Sequence, residues 1–218
     1  MNRSRHWLRI TEIFHSLQGE TRTVGLPTVF VRLTGCPLRC QYCDTAYAFH
    51  GGQRMSLEEV VARVAEWQPR HVTVTGGEPL AQPSCLALLE ALCDAGHEVS
   101  LETSGALSVA GVDPRVVKVV DLKTPDSGEL HRNDYDNIDY LGPEDQVKFV
   151  ICSRVDYDWA RLTMDRYRLA ERVGEVLFSP SFGQQDATEL AEWILQDRLP
   201  VRLQIQLHKL LWQDAAGR

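Results

Sequence analysis

Apolar residues fall along the chain in two alternating patterns. Short runs rich in β-branched residues occur at 28–33, 71–75, 98–102, 116–122, 146–151, 175–179 and 201–205, each with the length and composition of a strand. Between most of them the apolar positions repeat at helical spacing. The clearest such stretch starts at Ser56, where Ser56 and Glu59 have the spacing of a capping box and Leu57, Val60, Val61, Val64 and Trp67 form one stripe, with Pro69 just beyond. Similar stripes cover 84–95, 156–170 and 187–196. Strand followed by helix, repeated, predicts a parallel sheet. A closed eight-fold barrel typically takes roughly 250 residues, so about seven strands in this length predict an incomplete, open TIM-like barrel with outer helices. A flat doubly wound sheet is the alternative.

The segment 124–145 breaks the pattern. It is polar, rich in Asp and Asn and too long for a simple connection, so it reads as an irregular loop with the potential to act as a lid. Its acidic residues Asp126, Glu129, Asp134, Asp136 and Asp139 read as a solvated excursion rather than a metal site. No repeat, low-complexity tract or linker divides the chain, and residues 1–218 are expected to form one domain.

With 218 residues, 44% of them apolar, the chain can bury a sizeable core. A formal charge of −7 argues against a dominant basic face for nucleic acid or anionic membrane. Neither an apolar signal core nor a membrane-length segment is evident, so a cytoplasmic location is expected. Six cysteines in a reducing compartment suggest metal or redox chemistry rather than disulfides.

Three of the six are clustered in Cys36-Pro37-Leu38-Arg39-Cys40-Gln41-Tyr42-Cys43, directly after a predicted strand. Thiolates are soft, charged donors for iron or zinc, and three in one short loop can grip one face of a metal centre while leaving a position open. Structural zinc wants a fourth ligand, for which His50 is the nearest candidate. Cys85 and Cys93 sit in an apolar helical stripe and Cys152 follows a strand, so these three read as core residues. A second motif, Thr75-Gly76-Gly77-Glu78-Pro79, follows the next strand; its glycines permit close backbone approach and Glu78 offers an acceptor to an ammonium.

The spaced cysteines with an aromatic before the last one, together with this Gly-Gly-Glu segment, resemble the radical S-adenosylmethionine superfamily. A narrower resemblance covers nearly the whole chain. Phe14-His15-Ser16-Leu17-Gln18-Gly19-Glu20, the Phe30–Cys36 strand with Arg32, Asp44-Thr45, Glu102-Thr103-Ser104-Gly105, Asp121-Leu122-Lys123 and Gln204–Lys209 are similar to the 7-carboxy-7-deazaguanine synthase family. Glycyl-radical activating enzymes share the Cys loop, but the Ser-Leu-Gln-Gly-Glu and Gln-Leu-His-Lys segments favour the synthase.

The resemblance implies a 4Fe–4S cluster on Cys36, Cys40 and Cys43, S-adenosylmethionine on its open iron, and Mg2+ at Thr45. It implies radical conversion of 6-carboxy-5,6,7,8-tetrahydropterin to 7-carboxy-7-deazaguanine with loss of ammonia. Leu17, Gln18, Gly19, Arg32, Thr75, Glu102 and His208 would then contact the pterin, with Arg32 on its carboxylate. Gly77, Glu78, Asp121, Leu122, Lys123, Ser179, Pro180, Ser181 and Phe182 would contact S-adenosylmethionine. A flavodoxin- or ferredoxin-type reductant and a homodimer are also implied. Some relatives end with a carboxylate near the substrate, whereas this chain runs on from Trp212 to Arg218.

Read as residues alone, Thr45 is a turn threonine and His208 a structural histidine. Arg32 is different, because a guanidinium alternating into an apolar run is costly without a partner. Glu102 at a strand end can accept two hydrogen bonds from a guanidine-like edge. Cys36, Thr75, Glu102, Lys123, Ser179 and His208 all fall at or just past the carboxyl ends of predicted strands, where barrel active sites are built.

Overall fold

The computed structural model describes residues 6–213, 215 and 217. Asp214, Ala216 and Arg218, in the C-terminal extension, lie outside the described residues. The strands are β1 (Trp7–Leu17), β2 (Pro27–Leu33), β3 (Gln53–Ser56), β4 (His71–Gly76), β5 (Glu98–Thr103), β6 (Val117–Asp121), β7 (Gln146–Ile151), β8 (Glu175–Pro180) and β9 (Arg202–Leu203). The helices are α1 (Leu57–Ala65), α2 (Cys85–Asp94), α3 (Arg154–Tyr167), α4 (Leu169–Arg172), α5 (Ala187–Asp197) and α6 (Leu207–Trp212).

The nine strands form one sheet in the order β3-β1-β2-β4-β5-β6-β7-β8-β9. From β2 to β9 every pairing is parallel, while β1 pairs antiparallel with both β2 and β3. β3 and β9 are the two edges and do not pair with each other, so the barrel is open, as expected. All seven predicted strands are present, within a few residues at their ends. The antiparallel ribbon of β1 and β3 and the helix α6 are additions to the predicted set.

The period of two along each strand divides the sheet into unlike faces. Val31, Leu33, Val74, Leu101, Val120 and Phe149 point to one side and join the core with Leu57, Val60, Leu88, Leu92 and Tyr157 of the helices. Burying such a side chain contributes about 1.5–3 kcal/mol, and this layer drives the fold. The alternate residues Phe30, Arg32, Thr75, Glu102, Asp121 and Lys148 face the other side, where they line a pocket.

Local signals set the helix ends. Ser56 and Glu59 form both bonds of the capping box, Glu59 N to Ser56 Oγ at 3.2 Å and Ser56 N to Glu59 Oε2 at 2.6 Å. The single stripe read over 156–170 is broken at Arg168, whose φ of 53° ends α3 and turns the chain into α4. The polar segment after β6 contains 3-10 turns at Pro125–Ser127, Leu130–Arg132 and Tyr135–Tyr140. It is pinned rather than free: buried Asn137 donates to the Gly105 and Leu107 carbonyls and accepts from Val109 N. Ile138 joins the core, so this stretch is a fixed wall and not a lid.

Candidate active site

The carboxyl ends of β2 and β4–β7 open into a pocket of about 350 Å³. Cys36, Cys40 and Cys43 lie on its wall as half-buried free thiols. Their loop is held from several sides: Gln41 N donates to Ser127 O at 3.0 Å, Cys43 N to Cys40 O at 3.2 Å, and Arg39 Nη1 to Cys36 O at 2.8 Å. Arg39 also covers the Phe49 ring at 4.2 Å. The wall from the 124–145 segment thus clasps the cysteine loop.

Burial pushes the Cys36 thiol up and Cys40 up to about 11, against the pull of Lys123. A metal centre must displace those protons to bind. Among the described residues, no group of three or more His, Cys, Asp or Glu side chains is gathered as one metal ion would require. His50 is exposed and outside the pocket wall. Three cysteine thiols on one pocket wall are a donor set of the kind that holds an iron–sulfur cluster.

The Gly-Gly turn after β4 fits the same purpose. A Cβ on Gly77 would lie 2.2 Å from the Gly35 carbonyl oxygen and 2.8 Å from Cys36 Cβ, so only glycine lets the two loops touch. Glu78 sits elsewhere than the expectation of an ammonium acceptor requires. Fully buried, it accepts from Thr103 Oγ1, Ser104 N, Ser104 Oγ and Leu80 N, and it is absent from the pocket wall. Its carboxylate ties the turn to the end of β5.

Across the floor, the charges form a connected set. Arg32 Nε meets its cross-strand neighbour Glu12 at 2.7 Å, its guanidinium lies 5.9 Å from the rings of both Phe14 and Tyr47, and the residue lines the pocket. Glu102 accepts from Thr75 Oγ1 at 3.0 Å and Gln18 Nε2 at 3.2 Å. Burial, and next the charge of Glu20, push the Glu102 carboxyl up. Asp121 Oδ2 lies 2.9 Å from Lys123 Nζ and 3.6 Å from Lys148 Nζ, and Lys148 bonds Glu20 Oε2 at 2.7 Å. Asp121 Oδ1 and the Tyr42 hydroxyl are buried without a hydrogen-bond partner among the described residues. Orphaned polar atoms on a pocket wall fit a site built for a polar ligand.

Of the other expected residues, Leu17, Gly19, Thr45, Ser181 and Phe182 line the pocket. Thr45 donates to Asp44 Oδ1 at 2.8 Å. His208, on α6, also lines it, and burial holds its imidazole toward the neutral form. His208 packs so closely on Gly19 that a Cβ there would fall 2.2 Å from Nδ1. Leu122, Ser179 and Pro180 are buried and are not part of the pocket wall. Glu12, Glu20 and Lys148 were not anticipated. Lys148 carried a usable signal, a charge alternating into the apolar run Gln146–Ile151 just as Arg32 does in its strand.

Residues 30–121, from β2 to β6, match the Radical SAM superfamily model. The chain is an enzyme of that superfamily, which uses a 4Fe–4S cluster and S-adenosylmethionine with a reductant on a small-molecule substrate. Its relatives narrow the class. It is 45% identical to the 7-carboxy-7-deazaguanine synthase of Koribacter versatilis, covering 94% of this chain and 97% of that one. It is also 45% identical to the synthase of Chlorobaculum tepidum, covering 96% and 97%. The chain belongs to the 7-carboxy-7-deazaguanine synthase family. Among solved structures, QueE from Escherichia coli shares the fold with a TM-score of 0.71 at 24% identity, over 94% of this chain and 96% of that one. Streptococcus suis SuiB does so with a TM-score of 0.58 at 15% identity, over 79% and 47%.

Proposed function

We propose that this protein converts 6-carboxy-5,6,7,8-tetrahydropterin to 7-carboxy-7-deazaguanine with loss of ammonia, in queuosine and deazapurine synthesis. The observation that carries the reading is one pocket lined by three cysteine thiols, the Arg32 guanidinium and the Glu102 carboxylate. Cys36, Cys40 and Cys43 would hold the cluster, and Gly77, Asp121, Lys123, Ser181 and Phe182 would line the S-adenosylmethionine site. When bound, those two groups supply the hydrogen-abstracting radical.

Arg32 takes the substrate carboxylate on its free edge while Glu12 holds Nε. Glu102 accepts from the pyrimidine donors, its orientation set by Thr75 and Gln18. His208 and the Leu17–Gly19 backbone close over the ring, and the apolar sides of Phe14 and Phe30 help keep water out. Thr45, with the adjacent Asp44 carboxylate, would hold Mg2+. A flavodoxin or ferredoxin as the electron donor, a homodimer and a cytoplasmic location complete the proposal.

The test is anaerobic turnover of reconstituted protein with dithionite, Mg2+, S-adenosylmethionine and the pterin, read by mass spectrometry. Formation of 7-carboxy-7-deazaguanine, abolished by Cys40→Ala, is the expected result. 5′-Deoxyadenosine without that product would mean another substrate. A dependence on a large protein substrate would move the chain to the glycyl-radical activases. Stoichiometric zinc in colourless protein would end the radical reading.

A further inference from the structure

The pocket floor holds a group pair that substrate binding leaves unused. Glu20 and Lys148 are 128 residues apart, yet both line the pocket and meet at 2.7 Å. Their side chains are largely buried, at 11% and 14% exposure. The neighbouring acids are differently committed. Glu102 spends one oxygen on Thr75 and the other on Gln18, and Asp121 Oδ2 is bound to Lys123. Glu20 uses only Oε2, leaving Oε1 without a hydrogen bond from the described residues.

A base with one open oxygen, bonded through the other to an ammonium in the same cavity, can remove one proton and deliver another without rearrangement. The proposed reaction needs both events, since its ring-contracted amine must lose ammonia. Resting on that reading, we propose that Glu20 and Lys148 are the acid–base pair for this elimination, Glu20 taking the proton from carbon and Lys148 protonating the departing nitrogen. One C–H and one C–N bond break, a C=C bond forms and ammonia leaves, with Glu20 left as the acid and Lys148 as the amine. Transfer of the proton from Glu20 to Lys148 across their contact restores both. No oxidant, reductant or further co-reactant enters.

The surroundings suit this exchange. Burial works against the Lys148 ammonium, and the charge of Glu20 is the largest influence holding it, ahead of Asp121 and Glu102. Once Glu20 is protonated that support disappears, and Lys148 becomes a better acid when the amine departs. Asp121 from β6, Glu102 from β5, His208 from α6, and Tyr42 and Asp44 beside Cys43 are the other titratable groups whose charges bear on the pair.

The experiment is an anaerobic single turnover of the cluster-loaded chain, with 5′-deoxyadenosine, 7-carboxy-7-deazaguanine and any ammonia-retaining isomer of the substrate measured together. Glu20→Gln and Lys148→Met are expected to lower the ratio of product to isomer about a hundredfold, within the range of general acid–base groups. Added alkylamine is expected to restore product to Lys148→Ala. Each single replacement strands a buried charge, so the double variant Glu20→Gln with Lys148→Met, which strands none, is run beside them and is expected to behave alike. A wild-type ratio in the double variant, or a parallel loss of both products without isomer, would overturn the pair. Wild-type protein giving 5′-deoxyadenosine but no 7-carboxy-7-deazaguanine would refute the substrate reading itself, and the pair with it.

Discussion

Two buried lysine–carboxylate pairs join β6 and its surroundings at opposite ends of the sheet, and they are finished differently. At the amino end, Lys118 Nζ lies 3.0 Å from Asp145 Oδ2, and the same carboxylate accepts from Lys118 N at 2.7 Å and Gly142 N at 2.9 Å. Both oxygens are satisfied, which is what a structural clasp requires. At the carboxyl end, Lys148 bonds Glu20 while Asp121 Oδ1 and the Tyr42 hydroxyl have no partner among the described residues. A buried set left incomplete costs stability, and it is retained where a ligand completes it.

The strongest way to break this contrast is at the finished end. Lys118→Met leaves Asp145 as an unpaired buried charge and is expected to destabilise the fold by about 3–5 kcal/mol, while turnover per folded molecule is kept. Urea melts and turnover on the same sample check both halves. At the other end the effect should fall on binding. Arg32→Lys keeps the charge but loses the forked edge, so KM for the pterin is expected to rise by the equivalent of about 1.5–3 kcal/mol, with little change in melting.

Two smaller effects sharpen the comparison. Ser56→Ala removes a side-chain cap far from the pocket and should cost about 1 kcal/mol of stability with turnover untouched. Glu102→Gln probes the incomplete end by pH. Because the Glu102 carboxyl is pushed up, the folded chain binds its proton more tightly than the unfolded chain does. Its penalty is therefore full above that raised value and fades as pH falls through it. The Gln variant should be the more stable protein at neutral pH, with its advantage shrinking toward acid pH in parallel denaturant melts.

Much of this is legible in the amino-acid sequence alone. The parallel strands alternate apolar core residues with pocket-facing ones because helices cover one face only, and the cysteine and Gly-Gly-Glu loops are contiguous in sequence. The edge ribbon was not, because β1 mixes Arg9, Glu12 and His15 with Leu8 and Ile10, and β3 is four half-exposed or exposed residues. α6 has no buried residue to mark a stripe. Long-range register was the hardest to read. It alone sets Asp121 beside Lys148, and the Thr103 and Ser104 at the end of β5 that capture Glu78 lie 25 and 26 residues away from it.

The most direct test of the central claim follows the hydrogen itself. Pterin substrate deuterated on its saturated ring carbons is turned over anaerobically, and deuterium is tracked into 5′-deoxyadenosine and S-adenosylmethionine alongside product. Deuterium in either of them together with 7-carboxy-7-deazaguanine is the predicted result. Unlabelled 5′-deoxyadenosine, formed without product by cluster-loaded protein, would contradict it.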